Sequence, residues 1–420
     1  MTTSFPPMPL LPITSPSTIK SCRNLPLRPS DIFICSYPKS GTTWTQHIVL
    51  TLLLAERRYQ QQLAAAASGQ HNDGDGDISY NHVSDYAPFF EIDAHWQSSS
   101  SSDDSKNKML AESIRENHER LGRRVFNTHL RWDMLPKIRE GDASSTQIDD
   151  NDDNETTSES IKDDNTNNNH NGNQTTHTNN RPQCGKFIYI TRNQIDVVAS
   201  FYHHLSNQKE GTYTESYKTF VRDWMAGKIP FGSSLHHLIG FAEGFADNLY
   251  DASSSSSSCG DDDDIGCKNN NTIDGSNSNN SEQPLLLLSY EQLKSNLQSQ
   301  VERIINFLNL THIPQHVLED EILPSFEFND MKRNIDRFQP KSVGWLNGFQ
   351  FLRRGVTGDG RKLLLGDCNS DSGEDEEESE LMKEYVDWVE SEGYCSKIES
   401  LLGGGGCDEY RDVFLSVVEK

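Results

Sequence analysis

The chain has 420 residues, with 63 acidic against 38 basic side chains and a formal net charge of −25. This acidic balance argues against a protein that binds nucleic acid through a basic surface. Eight cysteines without a Cys-x-x-Cys pair or metal-ligand spacing indicate free thiols in a reducing, cytoplasmic compartment. No apolar run reaches the roughly 18 residues that a membrane-spanning helix needs, so we expect no membrane partner.

Five stretches contain almost no core-forming residues. They are rich in Gln/Ala, Asp/Gly, Ser, Asn or Glu and cover residues 60–77, 97–107, 141–183, 251–283 and 366–379. Such segments bury too little apolar surface to offset the entropy of ordering them, whereas insertions at loop tips are tolerated. We therefore predict one large domain over residues 31–400 that carries disordered insertions.

The two ends of the chain are predicted to lie outside this domain. Residues 1–30 contain no acidic residue and are rich in Ser, Thr and Pro, which favours a disordered lead-in. An organelle transit peptide is the alternative interpretation, although few basic residues are present. Residues 401–420 are predicted to form a C-terminal tail.

Residues 31–54 predict a strand, a tight loop and a helix in immediate succession. The apolar run Ile32–Cys35 is typical of a buried parallel strand, and Trp44–Leu54 can pack on a sheet as a helix. The loop between them includes Lys39, Ser40, Gly41, Thr42 and Thr43. The free N–H groups and positive dipole end of such a helix converge on one point. We predict a phosphate-binding loop; an ordinary strand-to-helix turn with a solvated lysine is the alternative.

The loop sequence YPKSGTTW resembles the 5′-phosphosulfate-binding loop of sulfotransferases, which use 3′-phosphoadenosine 5′-phosphosulfate (PAPS) as sulfuryl donor. Its lysine precedes the glycine, unlike the lysine of nucleotide triphosphatases. The resemblance implies an α/β fold with a single P-loop-like domain, in which helices flank both faces of a central parallel β-sheet. It also implies a set of donor-binding residues, namely Lys39, Ser40, Gly41, Thr42, Thr43 and Trp44.

A second motif follows the apolar pair Val125-Phe126, which reads as the end of a buried strand. It places His129 at the carboxyl edge of a parallel sheet, where ligands bind in open α/β folds. The block resembles the family signature K-T-H-L-P-x-x-L-L-P, whose histidine is the general base for the acceptor hydroxyl. The sequence departs from that signature at Asn127, where the family has lysine, and at Arg131, where it has proline. The missing lysine is expected to change acceptor contacts or transition-state support without removing the base.

A third motif starts after the predicted strand Phe187–Thr191. Ser200 follows Arg192 by eight positions, which places the two about 80° apart around a helix. The block resembles the 3′-phosphate site R-N-x-x-D-x-x-x-S, in which the arginine binds phosphate as a planar fork. There the serine hydroxyl assists and also contacts the loop lysine, here Lys39. The alternative is a capped surface helix.

Later segments resemble the remaining donor contacts of the family. Tyr290 follows the predicted strand Leu285–Leu288 and matches the tyrosine near the adenine, and a helix is predicted over Glu291–Leu308. The segment S-F-x-x-M-K is matched by Phe328 and Met331, a register that we prefer to one through Phe326. The segment F-M-R-K-G-x-x-G-D-W-K is matched by Phe351, Leu352, Arg353, Arg354 and Gly355, which would form a closing clamp on the 3′-phosphate. Gly360 replaces the tryptophan of this segment, so we expect a looser hinge.

The acceptor side of the site is less specific. Tyr86, Phe89, Phe90 and Trp96 form a dense aromatic group that either walls an acceptor pocket or belongs to the core. His236 and His237 lack an acidic or histidine partner at metal-ligand spacing, so we interpret both as structural. The family's dimer motif is degraded, and we predict no oligomeric state.

Taken together, these resemblances predict an enzyme that sulfates a hydroxyl or amine of a small-molecule acceptor and releases adenosine 3′,5′-bisphosphate. His129 would be the general base, Lys39 would stabilise the leaving group, Ser200 would assist, and no metal would be needed. Two alternatives stay open. One is a PAPS-binding protein of the same fold without turnover, and the other is a P-loop nucleotide kinase. The acceptor itself cannot be read from the sequence.

Overall fold

The computed structural model describes residues 5–69, 79–97, 109–136, 185–254, 284–346, 348–365, 380–403 and 407–419. Four of the predicted insertions, 97–107, 141–183, 251–283 and 366–379, fall almost wholly outside these ranges. Within the described ranges, no helix has the length and apolarity needed to cross a membrane.

A four-stranded parallel sheet organises the molecule. Its strands are β1 Ile32–Cys35, β4 Val125–Thr128, β5 Lys186–Thr191 and β6 Leu285–Ser289, in the spatial order β4-β1-β5-β6. In the register, Ile32 pairs with Val125 and Lys186, and Phe187 pairs with Leu285. Strands β1, β5 and β6 are mostly continuous apolar runs because both faces of a parallel sheet are covered. A short antiparallel pair is formed by β2 Trp96–Gln97 and β3 Met109–Leu110.

Helices surround this sheet. They are α1 Pro16–Arg23, α2 Thr42–Ala67, α3 Val83–Tyr86, α4 Glu112–Leu121, α5 Gln194–Leu205, α6 Tyr217–Met225, α7 Ser234–Ser254, α8 Tyr290–Ser295, α9 Leu297–Leu308, α10 Gln315–Val317, α11 Leu323–Ser325, α12 Phe328–Arg333, α13 Asp359–Leu365, α14 Glu380–Ser391, α15 Tyr394–Leu402 and α16 Asp408–Ser416. Single turns of 3₁₀ helix occupy Asp93–His95, Trp132–Met134 and Ile335–Arg337, and a π-helical turn occupies Leu318–Ile322.

Each face of the sheet has its own apolar core. Because successive side chains of a strand point to opposite faces, Phe33 joins a core with residues of α5, α7 and α14 to α16, whereas Ile32 and Ile34 join a core with α2 and α9. Strand and helix together thus form a three-layer arrangement. The predicted fold class, a parallel sheet flanked by helices on both faces, is confirmed.

The structure corrects the prediction of a disordered lead-in for residues 5–30. Ser15 caps α1 by accepting the N–H of Thr18, and the proline after it occupies the first helical turn. Met8, Ile19 and Cys22 are buried in the core. The Ser/Pro-rich composition that suggested disorder is in part a helix-start signal.

Two further element boundaries differ from the sequence-based expectation. Helix α2 continues to Ala67 and therefore takes up the first eight residues of the predicted insertion 60–77. The helix predicted over Glu291–Leu308 is divided at Asn296 into α8 and α9, because the backbone there is not helical.

The predicted C-terminal tail is also ordered over residues 407–419. It forms α16, whose Phe414 is fully buried with its ring 6.1 Å from Tyr189 and 6.0 Å from Phe245. The main chain beyond it reaches α5, since Gln194 donates its N–H to the carbonyl of Val417 at 2.7 Å. The C-terminal helix is therefore part of the domain.

We predict that Phe414→Ala lowers the free energy of unfolding by about 3–5 kcal/mol, because it leaves a cavity beside the sheet. Urea unfolding followed by circular dichroism measures this change. The control is Leu63→Ala, which truncates an apolar side chain that is 56% exposed and should change stability by less than about 0.5 kcal/mol. Equal stability of the two variants would contradict the assignment of α16 to the core.

Candidate functional site

The loop between β1 and α2 has the backbone geometry of an anion cradle. Lys39 and Gly41 both have positive φ angles, 71° and 113°. A Cβ atom on Gly41 would lie 2.9 Å from the Tyr290 ring and 3.0 Å from Ile190, so only glycine fits. The N–H groups in the first turn of α2 have no acceptor within the helix and are free to bind an anion. Thr42, Thr43 and Trp44 begin that turn, so the helix starts two residues before the predicted Trp44.

Three cationic side chains converge beside this loop. Arg192 lies within reach of the loop, with Nη1 3.4 Å from the carbonyl oxygen of Lys39. Burial, followed by the positive charges of Arg192 and Arg353, lowers the pKa of Lys39 to about 7. Like charges are gathered here without a matching number of carboxylates, which is the electrostatic environment of an anion-binding site.

The ammonium group of Lys39 lies among aromatic rings. Its Nζ is 3.3 Å from Nδ1 of His204 and 4.6 Å from the centre of the Phe351 ring. The hydroxyl of Ser200 is partly exposed, and within the described chain it makes no hydrogen bond to Lys39. The predicted contact between Lys39 and Ser200 stays a prediction. Sequence reasoning had not singled out His204.

Arg192 is fixed by contacts on several sides. Its guanidinium lies 4.4 Å from the centre of the Tyr290 ring, and Nη2 is 3.2 Å from the carbonyl oxygen of Val356 and 3.5 Å from Asp196. Its buried Nε has no hydrogen-bond partner among the described residues. A buried donor without a partner is uncommon and is available for a ligand oxygen.

The aromatic side chains next to Arg192 form a face for a planar group. The rings of Trp44 and Tyr290 are 5.7 Å apart in an edge-to-face arrangement, and Trp44 Nε1 donates to the carbonyl of Phe326 at 2.9 Å. Met331 is buried behind them in the same core, and Leu352 packs against that core. Phe326 is fully buried.

Phe328 lies at the predicted clamp instead of in the core. It is partly exposed, and a Cβ atom on Gly355 would lie 2.4 Å from its ring. Gly355 has a φ of 61°, so both the close approach and the backbone require glycine. Phe328 thus lies next to the clamp, and the register that aligns it with the family's phenylalanine stays a prediction.

Carboxylates anchor the clamp to α5. Asp196 accepts the N–H groups of Gly358 and Gly360, each at 2.8 Å. Asp359 accepts from Arg353 at 2.5 Å and from Arg354 at 2.6 Å. Burial raises the pKa of Asp359, but the hydrogen bonds and charges of the two arginines outweigh it and hold the pKa below its ordinary value. The clamp is thus folded onto the helix that carries Ser200.

The expectation of a looser hinge at Gly360 is not supported by this geometry. Gly360 is buried, and a Cβ atom there would lie 2.1 Å from the carbonyl oxygen of Ile195. The backbone can approach α5 this closely only because the side chain is absent. The glycine that replaces the family's tryptophan therefore permits close packing of this segment on α5.

His129 lies directly after β4 and is bonded to the donor loop. Its Nδ1 is 2.8 Å from the carbonyl oxygen of Ser36. A carbonyl can only accept, so the network assigns the proton to Nδ1 and leaves the lone pair on Nε2. Burial, with a smaller effect from the charge of Lys39, lowers the pKa of His129 to about 4, although the bond to Ser36 opposes this. The ring is therefore neutral near pH 7 and can accept a proton at Nε2.

Two rings enclose His129. Phe89 lies 4.9 Å and Phe231 5.2 Å from its ring, both edge-on. Four aromatic residues were expected either to wall an acceptor pocket or to belong to the core. Phe89 lies against His129, whereas Tyr86, Phe90 and Trp96 are buried in the core.

Asn127 holds the segment that carries Phe89. Its Nδ2 donates to the carbonyl of Ala87 at 2.7 Å, and its backbone N–H and C=O bond to Pro88 and Phe90. The residue is 4% exposed, so its amide is buried with this contact. Asn127, which replaces the family's lysine, thus joins β4 to the neighbouring loop by hydrogen bonds.

Glu91 is a site residue that sequence reasoning missed. It is fully buried, and its two carboxylate oxygens accept the N–H of His129 and the hydroxyl of Thr128, both at 2.8 Å. Burial raises the pKa of Glu91 to about 7, although these two hydrogen bonds oppose the rise. A lone glutamate in an aromatic segment gave no signal, because its partners lie 38 positions or so further along the chain.

Of the two histidines interpreted as structural, His237 packs edge-on against Tyr37, with the ring centres 5.8 Å apart. His237 Nδ1 is 3.1 Å from the hydroxyl of Tyr189 in the core, and His236 Nε2 is 3.2 Å from Glu392. Across the described residues, no three His, Cys, Asp or Glu side chains come together as a metal site. Metal-free chemistry stays a prediction.

The chain is similar to a protein-family model and to known proteins. A family model described as "Sulfotransferase domain" matches residues 29–141, 159–249 and 272–368. Human sulfotransferase 1E1 is 23% identical over 335 residues, which cover 79% of this chain and 77% of that protein. Luciferin sulfotransferase of Photinus pyralis is 23% identical over 319 residues, covering 74% of this chain but only 59% of that protein.

Two solved structures are similar to this chain at low identity. Mouse sulfotransferase SULT7A1 complexed with PAP is 16% identical, with a TM-score of 0.45, and the alignment covers 96% of this chain and 95% of that one. Retinol dehydratase in a complex with retinol and PAP is 16% identical, with a TM-score of 0.48, covering 90% and 86%.

We predict that Glu91 makes stability depend on pH and that Glu91→Gln removes this dependence. The folded-state pKa of about 7 lies above the ordinary value of about 4.3, so the folded chain binds the proton more tightly. Its contribution is then complete below about pH 4 and is lost as pH rises through about 7.

Urea unfolding of wild type and Glu91→Gln at pH 5, 6, 7 and 8 measures the difference in slope. The exposed Glu319→Gln on the π-helical turn is the matched control and should follow wild type. If the free energy of unfolding changes with pH equally in Glu91→Gln and wild type, then the pKa of Glu91 does not differ between the folded and the unfolded chain.

Proposed function

The chain belongs to the sulfotransferase family, and from that premise we propose that it transfers a sulfuryl group from PAPS to a hydroxyl or amine of a small-molecule acceptor. One observation carries the proposal. Lys39, Arg192 and Arg353 converge at the start of α2, and His129 is bonded through Ser36 to the same loop. An anion cradle and a neutral base thus share one point.

The residues present fit the donor. The first-turn N–H groups of α2 and Lys39 would hold the phosphosulfate end, and Arg192, with its unpartnered Nε, would hold the 3′-phosphate together with Ser200. Trp44 and Tyr290 would contact the adenine. The clamp residues would close over the donor, namely Phe351, Leu352, Arg353, Arg354 and Gly355. When bound, PAPS supplies the activated sulfuryl group, and adenosine 3′,5′-bisphosphate is the product.

His129 would accept the acceptor's proton at Nε2. Its Nδ1–H remains bonded to Ser36 O, which orients the ring and supports the positive charge that forms on it. Phe89 and Phe231 exclude water from the two sides of the ring. The low pKa of His129 means that the base is already neutral over the whole physiological range.

Lys39 would supply positive charge where negative charge accumulates on the donor. Its pKa of about 7 in the donor-free state allows the amine to gain a proton when an anion binds. Preorganised charge of this kind in a site shielded from water is an effective means of stabilising a transition state. No further cation is required by this arrangement.

We further propose that the enzyme acts in the cytoplasm. The described cysteines, Cys22, Cys35, Cys395 and Cys407, are free thiols, as a reducing cytoplasmic compartment would require.

The aromatic neighbours of His129 favour an acceptor with an apolar body. A PAPS-binding protein without turnover is the competing function, and the base geometry of His129 favours the enzyme.

We predict that His129→Ala lowers transfer of labelled sulfate from PAPS by about 10²–10⁴-fold, because the general base is lost. Binding of adenosine 3′,5′-bisphosphate, measured by calorimetry, should change less than about threefold, since the donor contacts remain. His316→Ala, an exposed histidine on α10, is the matched control and should retain full activity.

The acceptor panel should contain phenols, alcohols, amines and a crude metabolite extract. Bisphosphate binding without transfer to any of them would favour the binding protein. Retained transfer in His129→Ala would remove the histidine from the mechanism, and absence of bisphosphate binding would overturn the family function for this chain.

We also predict that the affinity for adenosine 3′,5′-bisphosphate falls as pH rises from 7 to 9, by up to about tenfold per pH unit. The lysine with a pKa of about 7 becomes neutral in the free protein over this range, and the bound anion must then recharge it. Calorimetry at four pH values measures the slope.

Lys39→Met should bind more weakly at pH 7 and show no slope between pH 7 and 9. Lys383→Met, which removes an exposed lysine on α14, should reproduce the wild-type slope. A slope that persists in Lys39→Met would assign the titration to another group.

A further inference from the structure

Residues 5–11 lie against the turn that covers His129. The carbonyl oxygen of Pro9 accepts the N–H of Phe231 at 2.7 Å. Pro9 and Met8 also contact Gly232, where an added Cβ would be 3.3 Å from Pro9 Cδ. This part of the chain is therefore bonded to the Phe231 turn by its backbone and packed on it by its side chains.

The Phe231 turn is strained and touches both halves of the site. Phe231 has a φ of 72°, which a bulky L-residue adopts only when its surroundings impose it. Its ring is 4% exposed and lies 5.2 Å from the His129 ring. The next carbonyl, that of Gly232, accepts the hydroxyl of Tyr37 at 2.9 Å, and Tyr37 belongs to the donor loop. A strained turn in this place needs an external tie, which Pro9 provides.

Arg131 fastens residues 5–11 to the segment that carries His129. It is 7% exposed, and its Nη1 donates to the carbonyl of Pro6 at 2.8 Å. The guanidinium lies 5.1 Å from the Phe5 ring, and its other edge pairs with Asp133 at 3.0 and 3.2 Å. Proline, the residue that the family signature has here, could make none of these bonds. The tie is thus specific to the arginine of this chain.

We propose that residues 5–11 act as a strap that keeps the Phe231 turn over His129, and that Arg131 is the positioning residue that fastens this strap. The inference rests on the proposed function in so far as His129 is the base. Pro6, Pro9 and Arg131 make no described contact with Lys39, Arg192 or Arg353. The strap should therefore set acceptor binding and leave donor binding unchanged.

The first test needs no acceptor. Arg131→Met keeps the length of the side chain but removes the donors to Pro6 and Asp133. We expect hydrogen exchange of the Phe231 amide to accelerate about tenfold or more, and carbethoxylation of His129 by diethyl pyrocarbonate, read by mass spectrometry, to accelerate similarly. Arg222→Met, which removes an arginine of α6 that pairs with Glu384, is the control and should change neither rate. Unchanged rates in Arg131→Met would overturn the proposal.

The second test uses transfer to 2-naphthol as probe. Arg131→Met should raise the KM for 2-naphthol about tenfold and lower kcat by less than about threefold, with the Kd for adenosine 3′,5′-bisphosphate within twofold of wild type. Phe231→Ala should have a similar effect. Because the strap acts through Phe231, the double variant should be no worse than Phe231→Ala alone.

The possible outcomes distinguish a failure of the strap proposal from a failure of the proposed sulfotransferase function. Multiplying effects in the double variant, or a weakened bisphosphate Kd in Arg131→Met, would show that Arg131 merely supports the fold. Absence of transfer in wild type would count against the proposed function, and the exchange and modification rates would still decide the strap.

Discussion

Ser36 joins the two halves of the site. Its carbonyl oxygen accepts the Nδ1–H of His129 at 2.8 Å, and its hydroxyl lies 2.6 Å from the hydroxyl of Thr42 in the first turn of α2. One fully buried residue after the end of β1 thereby fixes the tautomer of His129 and the start of α2. Any shift of β1 against β4 would disturb both together, so the parallel pairing of these strands sets the position of His129 relative to the anion cradle.

The electrostatics of the site are local and differ in sign from the chain as a whole. A net charge of −25 surrounds a point at which Lys39, Arg192 and Arg353 meet. Asp196 and Asp359 offset part of this charge, since Asp196 lies 3.5 Å from Arg192 and Asp359 pairs with Arg353 and Arg354. Burial is the main cause of the depressed pKa of Lys39, and the positive charges of Arg192 and Arg353 lower that pKa further. A buried lysine beside two arginines is the expected sign of a site for an anionic ligand.

The strands and the donor loop could be predicted from sequence because local signals specify them. Ile32–Cys35 and Leu285–Leu288 are apolar runs of strand length, and the loop motif carries its own glycine and lysine. Glu91, Ser36 and His204 could not be found in this way, since each matters only through a partner far away in the chain. The predictions that the two ends of the chain lie outside the domain were wrong for residues 5–30 and 407–419 for a related reason. Composition measures hydrophobicity and not the tertiary contacts that order a polar segment.

All four strands of the sheet deliver a site residue just beyond their carboxyl ends: Ser36, His129, Arg192 and Tyr290. The chain between residues 137 and 184 and between 255 and 283 instead re-enters the described structure at the amino ends of β5 and β6. In a parallel sheet these ends lie at the edge opposite to the one that carries Ser36, His129, Arg192 and Tyr290. The site is therefore assembled at one edge of the sheet, from the residue that follows each strand.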